Sequence, residues 1–375
     1  MYGKTARAIH FWLVFLSANV CFYLNLYLIM QNRTSILFIV NPISGTTDKK
    51  RIVALIPKYL SAEKFDVRVA YTEHGGHAAL LAGEAVRECV DVVVAVGGDG
   101  TVNEVARSLV HTRTALGIIP CGSGNGLARH LYIPMNPEGA MQVLADCRIK
   151  SLDYGIINGT PFFCTCGVGF DAFVSSKFAQ SGRRGLLSYI ENTLKEGLKY
   201  HSDTYELEID GERKQFKAFL IACANASQYG NNVYIAPHAS MSDGLMDVTV
   251  MEPFNVLEAP QIAIQLFNKT ITQNSKIRSF KCRHMKIYRS NPGVIHFDGD
   301  PKEEGCEIDV RVVPQDIRIV VNTNKQPYLP PLLHTFSDIY NYVNVEFLSL
   351  KRDLMEGQTR MRRINQELLR RLRNP

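Results

Sequence analysis

The sequence contains no Cys-x-x-Cys, and its nine cysteines are odd in number. Free thiols in a reducing cytosol explain that pattern better than a disulfide framework does. No His-x3-His spacing occurs among the ten histidines, so no zinc site is expected. There is no G-x-x-x-x-G-K-[ST], which excludes a P-loop NTPase. No G-x-G-x-x-G follows a strand with a ribose-binding acid about 20 residues on, which argues against a Rossmann dinucleotide site. No internal repeat is visible. Net charge is also scarce in most of the chain. Residues 351–375 carry eight basic and three acidic side chains, and the first 350 residues carry 34 against 33. The formal charge of +6 is therefore a property of the tail, and the body is not a general nucleic-acid binder. With 46% apolar and 21% charged residues the chain is not largely disordered. Its 375 residues suit two domains or three at roughly 150 residues each.

The two ends stand apart from the rest. Phe11 to Met30 is an uncharged run of 20 residues, interrupted only by Ser17, Asn19 and Asn25. Its length suits one bilayer-spanning helix, and no small-residue cleavage site marks it as a signal peptide. Met30 is also a plausible start, which leaves a membrane anchor and an N-terminal extension both open. At the other end, Pro327, Pro330 and Pro331 mark a linker. Beyond it Leu350, Leu354, Met361, Ile364, Leu368 and Leu372 fall at helical spacing among six arginines. Such a basic amphipathic helix can lie on an anionic membrane or pack on a protein surface.

Between the ends, strand and helix alternate at first. Strands are predicted over 35–41, 65–71, 90–96 and 115–119, with helices over 49–61, 78–88 and 102–110. The Val-rich run from Val90 to Val96 is typical of a parallel strand covered on both faces. From about Asp153 short strand-like runs dominate: 204–209, 217–224, 246–251, 286–288, 307–313 and 317–321. Asp-Gly turns at 210–211, 243–244 and 298–299 separate them, with helices expected near 183–200 and 256–268. The fold class read from this is an N-terminal α/β nucleotide-binding domain followed by an antiparallel β domain.

Three strand-to-helix turns carry the chemistry. The strongest is Gly97-Gly98-Asp99-Gly100-Thr101-Val102-Asn103-Glu104 after the Val-rich strand. Glycines let backbone approach a ligand, and a new helix points free N–H groups at it. Asp99 beside phosphate oxygens makes sense if a Mg²⁺ ion lies between them. The second loop is Pro120-Cys121-Gly122-Ser123-Gly124-Asn125-Gly126, where Ser123 and Asn125 can donate to phosphate or ribose. The third is Asn41-Pro42-Ile43-Ser44-Gly45. All three are expected at the carboxyl edge of one sheet, where open α/β sheets bind ligands.

Asn-Pro-x-Ser-Gly, Gly-Gly-Asp-Gly-Thr-x-Asn-Glu and Gly-Ser-Gly-Asn-x-Leu-Ala-Arg, in this order, resemble the diacylglycerol kinase catalytic family. Bacterial diacylglycerol and lipid kinases, sphingosine kinases and ceramide kinases belong to it. The resemblance runs from about Thr34 to Thr323. It implies an NAD kinase/phosphofructokinase-like domain over 34–152 joined by returning strands at 314–323. It also implies a β-sandwich lipid domain over 153–313, flanked by a hydrophobic segment, 1–33, and a basic helical tail, 326–375. ATP would be held by Asn41, Pro42, Ile43, Ser44, Gly45, Thr72, Gly97 to Glu104, Gly122, Ser123, Gly124 and Asn125. Ser240, Asp243 and Leu245 would bind a structural Mg²⁺. Asp298-Gly299-Asp300 matches the family's Asp-Gly-Glu, whose last acid is taken as the general base. Here that acid is one methylene shorter, so Asp300, Asp298 and, from the sphingosine kinases, Asp99 all stand as catalytic candidates. Gly167 to Asp171 resembles a segment near the lipid cleft. Arg183 and Arg184 read as a solvated loop, or as contacts to a phosphate or headgroup.

The function implied is an ATP- and Mg²⁺-dependent lipid kinase acting on diacylglycerol or a sphingosine- or ceramide-like lipid. It would work at the cytosolic face of a membrane, with the membrane surface as partner, a homodimer left open and no nucleic acid bound. An inactive lipid- or nucleotide-binding regulator is the alternative, and an NAD kinase is disfavoured by the second loop.

Overall fold

The computed structural model describes residues 33–45, 48–181, 200–255 and 257–324. The apolar run at 11–30, the helix expected near 183–200 with Arg183 and Arg184, and the basic tail lie outside them. Among the described residues no helix is long and apolar enough to cross a membrane.

The first half alternates as its pattern predicts. Strands β1 (Thr34–Val40), β2 (Phe65–Tyr71), β3 (Val92–Gly97) and β4 (Ala115–Pro120) are parallel, in the order β2-β1-β3-β4. Helices α1 (Lys49–Tyr59), α2 (His77–Arg87) and α3 (Asp99–Leu109) make the crossovers, and the short α4 (Gly126–His130) and α5 (Pro137–Asp146) follow β4. Every residue of β3 is buried, as expected of a strand covered on both faces. Each fully buried valine there contributes on the order of 2 kcal/mol. Local signals set the helix ends. Asp48 caps α1 by accepting Lys50 N–H, and Asn136 caps α5 by accepting Gly139 N–H with Pro137 at the first helical position. Helix α3 begins at Asp99, three residues before the periodic apolar pattern, because the glycine turn itself winds into its first turn.

The second half is antiparallel. It comprises β5 (Ile149–Ile157), β6 (Thr160–Phe162), β7 (Thr165–Gly169), α6 (Phe170–Ser181), β8 (Asp203–Ile209), β9 (Glu212–Ala218), β10 (Leu220–Ala224) and β11 (Met246–Met251). Helix α7 (Ala259–Phe267), β12 (Ile277–Cys282), β13 (His284–Arg289), β14 (Gly293–Phe297), β15 (Asp300–Glu304) and β16 (Glu307–Val320) complete it. Strands β12-β11-β10-β7-β14-β15 form a six-stranded sheet. It packs on the β16-β13-β8-β9 part of the first sheet through a core that includes Cys166, Cys223, Val248, Met285 and Val310. A second apolar cluster, with Phe170, Phe219, Ile235 and Ile262, covers its outer face.

One strand connects the halves. Strand β16 is 14 residues long and runs beside β5 almost throughout. Its first half pairs with β13 and its last residues pair in parallel with β4. An irregularity between Val313 and Ile317, around Pro314 and the left-handed Gln315, lets one strand serve both directions. A change of sheet within the second half corrects an expectation. The run at 217–224 reads as one strand, yet the chain changes sheet inside it: Ala218 ends β9 in one sheet and Leu220 begins β10 in the other. Phe219 makes the step, its N–H donating to Met251 O at 2.7 Å and its ring 4.5 Å from Phe170. A continuous apolar run fits either face of a sandwich, so hydrophobicity alone cannot locate such a crossing.

Candidate active site

The parallel register brings the three loops together. Val40 pairs with Val96 and Gly97 with Pro120, so β1, β3 and β4 end side by side. The ladder continues into the loops, with Asn41 N–H donating to Val96 O and Cys121 N–H to Gly97 O. Asn41 Nδ2 donates to Thr101 Oγ1 at 3.0 Å, tying the first loop to the start of α3.

The loops then touch backbone to backbone. Gly45 has φ +58°, and a Cβ there would stand 1.7 Å from Cys121 O. A Cβ on Gly122 would stand 2.8 Å from Gly98 Cα. No side chain larger than hydrogen fits at either place. Asp99 locks the arrangement. Its Oδ2 accepts Asn125 N–H and its Oδ1 accepts Gly126 N–H, both at 2.8 Å. Asn125 is left-handed (φ 51°), and its side chain closes the loop on Gly122, accepting Gly122 N–H and donating to Gly122 O at 2.6 Å. Asn125 is thus a framework residue, whereas Ser123 is exposed. Thr72 is buried at the end of β2 with its N–H on Val40 O. Glu104 accepts Gly76 N–H, holding the 72–77 turn against α3. Ser44 is buried, Ile43 exposed, and Val102 packs in the core.

Asn103, in α3, is one of five described residues with a buried polar atom that lacks a hydrogen-bond partner, beside Arg33, Asn225, Asp247 and His296. It is buried, and its Nδ2 has no hydrogen-bond partner. An unpaired buried donor costs about 1–3 kcal/mol, and this one lies one helical turn beyond Asp99 in α3. Lys49 adds a cation at the same edge. It is buried at the start of α1 with Nζ on Ser44 O at 2.5 Å. Sequence reasoning passed over it because a lysine opening a helix usually faces water.

The acids of the second half separate clearly. Asp298 and Gly299 are the two central residues of the β14–β15 hairpin, with φ of 52° and 87°. The Asp298 carboxylate accepts three backbone N–H groups, from Phe163 at 2.8 Å, Cys164 at 2.7 Å and Thr165 at 3.1 Å. Burial pushes its pKa up to about 6, and those three bonds hold the rise in check. Asp300 is 53% exposed, and its carboxylate meets Arg107 Nη2 at 3.2 Å. Arg107 comes from α3, two turns beyond Asp99. Its Nε donates to Pro161 O, and its guanidinium lies 5.0 Å from the centre of the Phe297 ring. One helix therefore carries Asp99 at its start and the partner of Asp300 near its end. Arg107 was not legible as a site residue, because its partner is 193 positions away. The halves also meet at Ser227, whose N–H donates to His130 Nδ1, and at Asn231, whose N–H donates to Gly124 O.

Asp171, in the segment that resembles the lipid-cleft motif, is buried with His296 Nε2 and Tyr229 OH each 3.0 Å from its Oδ2. Ser240, Asp243 and Leu245 form a separate loop before β11. Asp243 Oδ1 accepts Leu245 N–H at 3.1 Å, and its Oδ2 is 2.7 Å from Lys281 Nζ. Gly244 N–H donates to the fully buried Asp153, which also accepts Gln315 N–H at the β16 irregularity. Among the described residues no three His, Cys, Asp or Glu side chains gather as a metal-binding set. The donor set at this loop does not fit a divalent ion, because an ammonium already occupies the Asp243 oxygen.

The α/β half with its stacked glycine loops and the sandwich half with its Asp-Gly-Asp hairpin define the class, a two-domain kinase of lipid-kinase architecture. Residues 35–157 match the diacylglycerol kinase catalytic domain, and residues 164–321 match the YegS C-terminal NAD kinase beta sandwich-like domain. A "Probable lipid kinase YegS-like" of Chromohalobacter salexigens is 34% identical over 209 residues, covering 53% of this chain and 67% of that one. The "Diacylglycerol kinase" of Bacillus subtilis is 27% identical over 271 residues, covering 70% and 88%. The crystal structure of a diacylglycerol kinase from Bacillus anthracis shares the fold, with TM-score 0.62 at 22% identity over 78% of this chain and 98% of that one. The chain belongs to the diacylglycerol kinase and YegS-like lipid kinase family.

Proposed function

We propose that the protein transfers the γ-phosphate of ATP, carried with Mg²⁺, to the hydroxyl of a membrane lipid. The observation that carries this reading is the cradle of three interlocked glycine loops closed on Asp99 at the start of α3. Lys49 and the α3 N-terminus add positive potential for the phosphates. Asp99 keeps one lone pair free on each oxygen after its two backbone bonds, so it fits a nucleotide-borne cation as a ligand or through water. That cation would neutralise charge on the transferring group.

The general base in this reading is Asp300. Its rival, Asp298, is a structural acceptor whose oxygens already take three N–H groups. Asp300 faces the surface and is oriented by Arg107. A carboxylate removing the lipid hydroxyl proton typically contributes about 10²–10⁴-fold. Asp300 lies on a hairpin of the sandwich and Asp99 on the nucleotide half, so the two substrates would meet where these halves join. A lipid acceptor brings the reaction to a membrane surface. The lipid named for the Bacillus subtilis relative makes diacylglycerol the first acceptor to try.

The test uses labelled ATP with vesicles containing diacylglycerol, sphingosine or ceramide. Turnover of one of these, lowered at least about 10²-fold by Asp300→Ala, supports the reading. Intact ATP binding with no lipid phosphorylated would replace it with a regulatory, non-catalytic role. Loss of activity in Asp298→Asn but not in Asp300→Ala would move the base to Asp298.

A further inference from the structure

The sandwich half holds two acids that meet one cation of their own chain. Asp247, in β11, stands directly opposite Lys281, in β12, in the antiparallel register. Lys281 Nζ reaches Asp247 Oδ2 at 3.1 Å and, past the strand end, Asp243 Oδ2 at 2.7 Å. The lysine is 36% exposed and the acids 32% and 16%, so the group lies at the surface with Asp247 its most covered member. Burial pulls the Lys281 pKa down, but its bonds to both carboxylates outweigh that and hold it above the ordinary lysine value. Burial raises the Asp247 pKa, partly countered by the same ammonium. The remaining Asp243 oxygen accepts Leu245 N–H, and Gly244 N–H goes to Asp153. The 240–245 loop is thus fastened by Lys281 on one side and Asp153 on the other.

The family resemblance implies a divalent cation at this loop, held by Ser240, Asp243 and Leu245. Mg²⁺ demands oxygen ligands at about 2.0–2.1 Å in octahedral array. The oxygen it would need is the one that faces the ammonium, and two cations cannot share it without strong repulsion. Seating Mg²⁺ would require Lys281 to leave both partners. We propose that the Lys281 ammonium takes the place of the divalent ion, fastening the 240–245 loop to β11 and β12 in a metal-free way. The sandwich half then needs no divalent cation for its own integrity. Any Mg²⁺ requirement of the protein belongs to the nucleotide. This inference is independent of which lipid is phosphorylated and of which acid is the base.

The experiment is thermal unfolding of the full chain, free of nucleotide, in EDTA and in millimolar MgCl₂. The wild type should unfold at the same temperature in both. Lys281→Met leaves two facing carboxylates, so it should lower the midpoint in EDTA by about 2–4 °C, and Mg²⁺ should restore at least half of the loss. A rise in the wild-type midpoint on adding Mg²⁺, absent in Asp243→Asn, overturns the proposal in favour of a metal site. So does a Lys281→Met protein whose midpoint is unchanged in EDTA. If Lys281→Met does not accumulate, Mn²⁺ binding by electron paramagnetic resonance decides on proteins that do. Nucleotide-free wild type and Asp243→Asn should bind equally little, and an excess in the wild type refutes the inference.

Discussion

Two partly buried groups give the protein opposing responses to acid, and replacing each should unmask the other. His130 ends α4, behind the second glycine loop, and its Nδ1 accepts Ser227 N–H at 3.1 Å with Ser227 Oγ at 3.0 Å. Burial holds its pKa down to about 4 from 6.5. The folded state therefore prefers the neutral ring, and that preference is fully present above the unfolded value and lost as pH falls toward 4. From about pH 7 to about pH 5 the loss amounts to at most about 2 kcal/mol. Asp298 runs the other way. Its folded pKa, about 6, exceeds the unfolded 3.8, so the stability it adds is full below 3.8 and disappears as pH rises through 6. Over the same descent it adds about 1 kcal/mol. The two nearly cancel in the wild type. Urea unfolding at the two pH values reads them separately, because all other titrating groups drop out of the difference from wild type. His130→Gln, which keeps an acceptor for Ser227, should gain about 2 kcal/mol relative to wild type on acidification. Asp298→Asn should lose about 1 kcal/mol. A His130→Gln difference that is the same at both pH values, within about 0.5 kcal/mol, would show that the ring titrates normally and refute the reasoning.

Other outcomes follow from the cradle and the hairpin. Arg107→Ala should lower kcat about 10–100-fold through misplacement of Asp300, with Arg107→Lys in between, while the unfolding midpoint moves by only a few degrees because the pair is half exposed. Equal kcat in wild type and Arg107→Ala would count against Asp300 as the base. Gly45→Ala drives a Cβ into Cys121 O and should weaken ATP binding at least tenfold by calorimetry, with the circular dichroism spectrum unchanged. Asp99→Asn replaces an acceptor by a donor facing Asn125 or Gly126 N–H, so steady-state assays should show both a higher KM for ATP and a kcat close to background.

Local signals made the α/β half readable. Continuous valine in β3, a capping Asp before α1 and glycine turns after three strands each state their structure within a few residues. The three loops could be grouped because parallel strands with helical crossovers leave their carboxyl ends on one edge. The sandwich half was readable as antiparallel but not strand by strand. Strands β5, β7 and β14 lack strict alternation because parts of them are buried on both faces, and the crossing at Phe219 leaves no mark in hydrophobicity. Within the site, the residues that escaped notice are those whose meaning depends on distant partners: Arg107 for Asp300, and Lys281 for Asp243 and Asp247. Asn125 and Asp298 were visible as polar residues of interest, but their bonds to backbone could not be read from spacing.

The continuity of β16 from the sandwich half into the parallel strands has a consequence for synthesis of the chain. Strand β4 finds its outer neighbour only when residues near Ile319 have left the ribosome, more than 150 positions after the diacylglycerol kinase-type segment ends at 157. At about 5–20 residues per second the nascent nucleotide-binding half waits on the order of ten to thirty seconds with an apolar strand edge open. That edge is a natural target for chaperones and for aggregation when expression is forced. Fragments cut near 157 would keep every phosphate loop and still carry this open seam.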